Sequence, residues 1–172
     1  MTEDQKRIQQ ASIEWMVRHK DAFNYAVTLT LKSYRRLKND RGQAVEQLSH
    51  FAAKSTLAYF VKRLNIALFG KAAKRFGRSV SIIPVLEGHG ADKRLHYHCA
   101  IGGLPEKMSV DTFNAAVRDA WSKTPFGYNE IRVTPISNVD WFSYMGKEIG
   151  LENADVLDWE NVVIPSATTS LV

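Results

Sequence analysis

Two histidines one residue apart, His96 and His98, carry the sharpest chemical signal in this chain. In an extended strand side chains alternate between faces, so the two imidazoles share one side while Tyr97 and Cys99 face the other with Leu95 and Ile101. Neighbouring imidazoles on an open sheet face can act together as metal ligands. The alternative is a solvated or hydrogen-bonded pair. Glu87 lies nine residues before His96, and a hairpin closed around residues 88–94 brings its carboxylate beside the histidines. Two imidazoles and one carboxylate leave coordination positions open, as a catalytic metal requires. His89 is a rival ligand, or a loop histidine in water. Farther along, Tyr144 and Lys147 are three residues apart, which on a helix places them on one face. A tyrosine hydroxyl can form a covalent intermediate, and a nearby lysine can neutralise phosphate charge. The alternative packs Tyr144 into the core beside Trp141 and Met145 and leaves Lys147 in solvent.

These side chains need elements to hold them. Residues 24–32 (NYAVTLTLK) alternate as a half-buried strand, with Tyr25, Val27, Leu29 and Leu31 on one side and Thr28, Thr30 and Lys32 on the other. The following SYRRLKNDRGQ reads as a polar, basic loop. From about Ala44 to Phe76 the helical period dominates through Leu57, Phe60, Val61, Leu64, Ala67 and Leu68, with an interruption at Gly70 and a stop at Gly77. Residues 79–87 form a strand in which Pro84 argues for an edge position or a bulge. Residues 95–104 form the histidine strand. Ser109 caps a helix running to about Ser122, and a fourth strand spans roughly 128–136. Ser137 to Asp140 has the spacing of a capping arrangement for a short helix over 140–149. A further helix is expected over residues 3–19.

The core order β-α-β-β-α-β predicts an α+β, ferredoxin-like fold: an antiparallel sheet of four to five strands with helices on one face. Its other face is expected to stay more open and polar. The division expected along the chain is an N-terminal helical arm (1–22), the main domain (23–150) and an acidic C-terminal extension (151–172).

Charge points to a partner. The first 86 residues hold 16 Lys and Arg against 6 Asp and Glu, whereas the remainder hold 7 against 12. That asymmetry favours a polyanion, although solvated helix faces would also produce it. At 172 residues and 45% hydrophobic, the chain is large enough for one domain with a real core. No apolar run approaches membrane-spanning length, no leader-like segment opens the chain, and Cys99 is the single cysteine. A reducing, intracellular setting follows as the expectation.

Taken together, the motifs resemble the HUH endonuclease superfamily, and especially its rolling-circle replication initiators. AVTLTLK at 26–32 matches the family's first motif, LHYHCAI at 95–101 its histidine–hydrophobe–histidine motif, and YMGK at 144–147 its tyrosine motif, with Glu87 as the upstream carboxylate. Order and spacing agree over about residues 23–150; tyrosine fills the hydrophobic place between the histidines. The resemblance implies an HUH nuclease fold in which His96, His98 and Glu87 hold one divalent ion, Mg²⁺ or Mn²⁺, and Tyr144 attacks a DNA phosphate with Lys147 steadying the phosphate or the phenolate. It implies nicking of single-stranded DNA or an origin hairpin, leaving a 5′-phosphotyrosine and a free 3′-hydroxyl, with rejoining as the reverse step. Thr28, Thr30, Lys32, Arg35, Arg36, Lys93, Arg94 and Arg132 are the expected DNA contacts. No phosphate-binding G-x-x-x-x-G-K-[ST] motif occurs, so unwinding would fall to a separate helicase or to a further domain. A bacterial or phage-infected cytoplasm is the implied setting, or the nucleus for a eukaryotic viral protein. Competing readings are a single-tyrosine transposase or relaxase, a DNA-binding module without catalysis and, more remotely, a cupin-like metal enzyme.

Overall fold

A computed structural model of the chain describes residues 1–40, 42–88, 94–151 and 156–165. Among the described residues six strands and five α-helices follow one another as α1 (Glu3–Arg18), β1 (Tyr25–Leu31), β2 (Tyr34–Asn39), β3 (Gly42–Gln47), α2 (His50–Phe69), α3 (Lys71–Phe76), β4 (Ser81–Glu87), β5 (His96–Gly102), α4 (Val110–Ser122), β6 (Gly127–Pro135) and α5 (Asp140–Met145). Four strands build one antiparallel sheet in the order β4-β5-β1-β6. That is the order of the split βαβ arrangement expected from the sequence. Pro84 does lie on an edge strand, where its missing N–H costs no ladder bond.

The two crossover helices cover one face. Ser49 Oγ accepts the Ala52 N–H at 3.1 Å to start α2, and Ser109 Oγ does the same for Thr112 in α4. Ala53, Leu57, Phe60 and Leu64 of α2 and Phe113, Val117, Ala120 and Trp121 of α4 are buried against Val27, Leu29, Leu31, Tyr97, Cys99 and Ile101 of the sheet. Fully burying each large apolar side chain of this kind is worth about 1.5–3 kcal/mol. Trp121 closes its polar end by donating from Nε1 to the Thr30 carbonyl at 3.1 Å.

Three features differ from the sequence expectation. Residues 34–39 and 42–47 pair as an antiparallel hairpin, β2 with β3, where a loop and the start of a helix were expected; their described side chains are mostly exposed, so no apolar alternation announces it. The second face of the sheet is open only in part. Met16 of α1, Phe142 and Met145 of α5, and Ile149 bury Ile83, Val85 and Ala100 in a second core. α1 is therefore packed onto the domain by its Met16 end. Residues 156–165 also dock: Val156 and Leu157 complete the second core, Val163 and Ile82 exchange backbone hydrogen bonds of 2.8 and 2.9 Å, and Asp158 N–H reaches Pro84 O at 3.1 Å. This segment covers the otherwise unpaired edge of β4. Among the described residues no helix is long and apolar enough to cross a membrane.

Candidate metal centre

Strand register assembles the site. In the β4–β5 ladder Glu87 lies opposite His96 and Val85 opposite His98. In the β1–β5 ladder Thr28 lies opposite His98. Glu87, His96 and His98 thereby converge, with one ligand atom from each lying within 4.8 Å of the others. His96 Nε2 and His98 Nε2 stand 3.1 Å apart, and Glu87 Oε2 lies 3.8 Å from the first and 3.3 Å from the second.

The outer nitrogens of both rings are already committed. His96 Nδ1 meets the Arg94 carbonyl at 2.9 Å, which must accept, so the proton sits on Nδ1 in the neutral ring and Nε2 presents its lone pair to the centre. His98 Nδ1 meets Thr28 Oγ1 at 3.1 Å. Glu87 is 1% exposed, and its Oε1 is buried with no hydrogen-bond partner. A buried carboxylate with one orphaned oxygen, whose other oxygen faces two imidazole nitrogens, is a donor set that suits a divalent cation. This group could hold a metal ion, as expected from the sequence. Nitrogen and carboxylate donors are compatible with Mn²⁺, and with Mg²⁺ if water and substrate oxygens complete its shell.

The electrostatics are asymmetric. Burial alone would raise the Glu87 carboxyl, but hydrogen bonds from His98 and Lys147, and their charges, outweigh it and hold the group below its ordinary value. Burial lowers His96, opposed by its bond to the Arg94 carbonyl and reinforced by His98. Lys147 Nζ bonds Glu87 Oε2 at 2.9 Å. Its burial favours deprotonation, yet hydrogen bonds to Glu87 and Tyr144 prevail and raise its pKa. Gly88 follows Glu87 with φ of +99°, and a Cβ there would lie 2.5 Å from the Arg94 carbonyl oxygen. Only glycine allows the chain to turn so close to the carbonyl that fixes His96.

Tyr144 and Lys147 come from α5 and the single 3₁₀ turn that follows it (Gly146–Glu148). Asn138 Oδ1, rather than Ser137, satisfies the Asp140 N–H at 3.0 Å at the start of α5. Phe142 and Met145 face the second core, which leaves Tyr144 on the open side at 47% exposure. The Tyr144 ring lies 5.0 Å from His98 and 5.6 Å from Trp141, nearly parallel to the latter, and Lys147 Nζ stands 3.6 Å from its centroid. The buried alternative for Tyr144 is thus not the one adopted. Tyr97, by contrast, is fully buried and donates to Asp158 Oδ2 at 3.1 Å; burial pushes its hydroxyl far up.

α1 supports this turn from behind, a role the sequence reading did not assign to it. Gln9 Nε2 donates to the carbonyls of Gly146 and Lys147 at 3.1 and 2.9 Å. A Cβ on Gly146 would collide with Ile13. A glycine between the tyrosine and the lysine was the one available hint of such close packing.

The expected DNA contacts divide into groups. Thr28, Thr30 and Arg132 line a cleft of about 670 Å³ that also includes His98, Trp141 and Tyr144. Thr28 is spent on orienting His98, and Thr30 is buried. Lys32, Arg35, Arg36 and Arg94 line a second cleft of about 650 Å³ with Tyr34 and Tyr128. There Arg35 is ion-paired with Glu46 and lies over Phe126, while Arg94 lies over the Tyr128 ring at 4.4 Å. Tyr34 and Tyr128 were missed as candidates; the β2–β3 hairpin brings Tyr34 into this cleft, and Arg94 sets a cation on Tyr128. Lys93 and the rival ligand His89 lie outside the described residues.

Compared with known proteins, the chain matches no family model, no curated protein and no solved structure.

Proposed function

We propose that this protein is a DNA-nicking endonuclease of the HUH type that initiates replication by cleaving a single strand through Tyr144. The observation that carries the reading is the exposed phenol of Tyr144 standing over the ring of His98, 5.0 Å between centroids, at the mouth of the histidine–glutamate centre. A nucleophile and a metal ligand that line one cleft, as Tyr144 and His98 do, can act on the same phosphate.

In this reading a scissile phosphodiester enters the cleft between Tyr144 and His98. A divalent ion held by His96, His98 and Glu87 would supply Lewis-acid charge at a non-bridging phosphate oxygen. Tyr144 Oη forms a bond to phosphorus as the bond from phosphorus to the 3′ oxygen breaks. The phenol gives up its proton, and the leaving 3′ oxygen gains one to become a hydroxyl. The product is a 5′-phosphotyrosine, and attack by a 3′-hydroxyl reverses the step and rejoins ends. Thr28 keeps the His98 ring in its orientation, and Trp141 backs the Tyr144 ring. Lys32, Arg36 and Arg94 hold phosphates of the same strand in the second cleft, where Tyr34 and Tyr128 offer faces on which unpaired bases stack. A separate helicase exposes the strand.

The test is incubation with single-stranded origin-type oligonucleotides, with Mn²⁺, with Mg²⁺ or with EDTA. A covalent protein–DNA product that needs metal is expected. No adduct with any oligonucleotide while DNA binding persists would leave the non-catalytic DNA-binding reading in its place, and an adduct formed equally well in EDTA would remove the metal from the mechanism.

A further inference from the structure

Glu87 Oε2 is the acceptor on which three nitrogens converge: Lys147 Nζ at 2.9 Å, His98 Nε2 at 3.3 Å and His96 Nε2 at 3.8 Å. Only the lysine carries a full positive charge without taking up a proton from solution. A carboxylate this deeply buried needs a cation beside it. The geometry points to the Lys147 ammonium as a tethered cation that occupies the carboxylate arm of the metal centre and is exchanged for the metal ion. This inference rests on the metal centre proposed above and adds a regulatory use of the lysine.

Three observations support exchange rather than permanent pairing. The oxygen that Lys147 holds is the one both imidazole Nε2 atoms face, so a cation held by all three side chains would sit against the ammonium. Two cations at that spacing repel strongly. Oε1 of the same carboxylate has no partner, so no hydrogen bond at that oxygen is lost when Oε2 changes cation. The lysine also has somewhere to go: its Nζ already stands 3.6 Å from the Tyr144 ring centroid, and its side chain is 37% exposed. A swing of its flexible stem away from Glu87 leaves the ammonium beside the phenol, where a DNA phosphate would arrive. Lys147 thus guards the carboxylate while the centre lacks metal, and joins the tyrosine once metal binds.

The test is titration of Mn²⁺ into the EDTA-stripped, dialysed protein by calorimetry, with no DNA present. Lys147→Met removes the charge at similar length and is expected to bind Mn²⁺ at least about tenfold more tightly, because a competing buried ion pair no longer has to break. Lys147→Arg keeps a competitor and is expected to bind close to wild type. Lys147→Gln guards against a folding defect in the methionine variant and is expected to follow it. Melting of the stripped protein is expected to fall in Lys147→Met, so that added Mn²⁺ raises its melting temperature by more than it does for wild type. Unchanged or weaker Mn²⁺ binding in the uncharged variants would overturn the exchange while leaving the metal centre standing. Absence of Mn²⁺ binding in wild type, Lys147→Met and Lys147→Gln alike would overturn the metal centre and this inference together.

Discussion

Tyr144 and His98 stand with ring centroids 5.0 Å apart and planes tilted by 71°, although 46 residues and a complete helix–strand unit separate them in the chain. Their meeting depends on the second core. Phe142 and Met145 anchor α5 on Ile83, Val85 and Ala100, and Tyr144, which lies between those anchors, is turned toward the histidine strand. Tyr144 is placed by packing on its own helix, and the imidazole by the β1–β5 register.

Replacing Tyr144 by Phe preserves the stacking on Trp141 and removes only the hydroxyl. Covalent adduct formation, read on a denaturing gel, is expected to disappear while affinity for single-stranded DNA stays within about twofold, a change well under 1.4 kcal/mol. Adduct formation by this variant would move the nucleophile to another residue.

Thr28 touches the candidate metal centre through His98 Nδ1. Thr28→Val keeps the shape of β1 and frees the ring. Mn²⁺ affinity is expected to drop about 10–100-fold, against a larger loss in His98→Ala, with urea unfolding of the metal-free valine variant close to wild type. Equal Mn²⁺ affinity in Thr28→Val and wild type would make that hydrogen bond irrelevant to the centre.

Metal-free protein should lose stability as the pH falls. Glu87 is held below its ordinary 4.5 in the fold, so its contribution is full above that value and is lost as pH drops through the folded one. His96 is lowered from 6.5 and acts in the same sense, its contribution shrinking once pH passes below the unfolded value. Urea midpoints measured in EDTA are expected to decline below about pH 6.5 as His96 is drawn to protonate on unfolding, and to decline further below pH 4.5, where Glu87→Gln is expected to flatten the profile. A level profile in the wild type contradicts this assignment.

Gly146→Ala inserts a methyl group against Ile13. Overpacking of this kind costs about 1–3 kcal/mol, and the strain falls on the contact between α1 and the turn that carries Lys147. Chemical denaturation is expected to show that loss, and pairing the change with Ile13→Ala is expected to recover part of it. Full additivity of the two substitutions would show that they do not meet.

The second cleft should read out through salt. Each phosphate contact removed, as in Lys32→Ala or Arg36→Ala, is expected to flatten the slope of log affinity against log salt by about 0.7 for a single strand. Tyr34→Ala is expected to weaken binding by about 1–3 kcal/mol without changing that slope, as lost base stacking would. Arg35→Ala should show its main effect in stability, since that side chain is spent on Glu46 and Phe126.

The sequence by itself determined what depends on local periodicity. Alternation put His96 and His98 on one face and Thr28 with Thr30 on one face; the short link between β4 and β5 put Glu87 opposite His96; apolar spacing identified the helices whose buried faces form the main core. Those patterns repeat every two residues or every three to four, so a single strand or helix displays them. Tertiary structure alone decided the rest. Among the described residues of β2 and β3 no side chain is buried to mark their period, and the two strands stand through backbone pairing. The apolar strand residues Ile83, Val85 and Ala100 announce a covered face without saying that α1, α5 and residues 156–157 cover it. The bonds from Thr28 to His98, from Gln9 to the turn after α5, and from Lys147 to Glu87 join residues 60 to 138 apart. Their partners are chosen by how whole elements pack, because side-chain complementarity between distant segments leaves no period in either one.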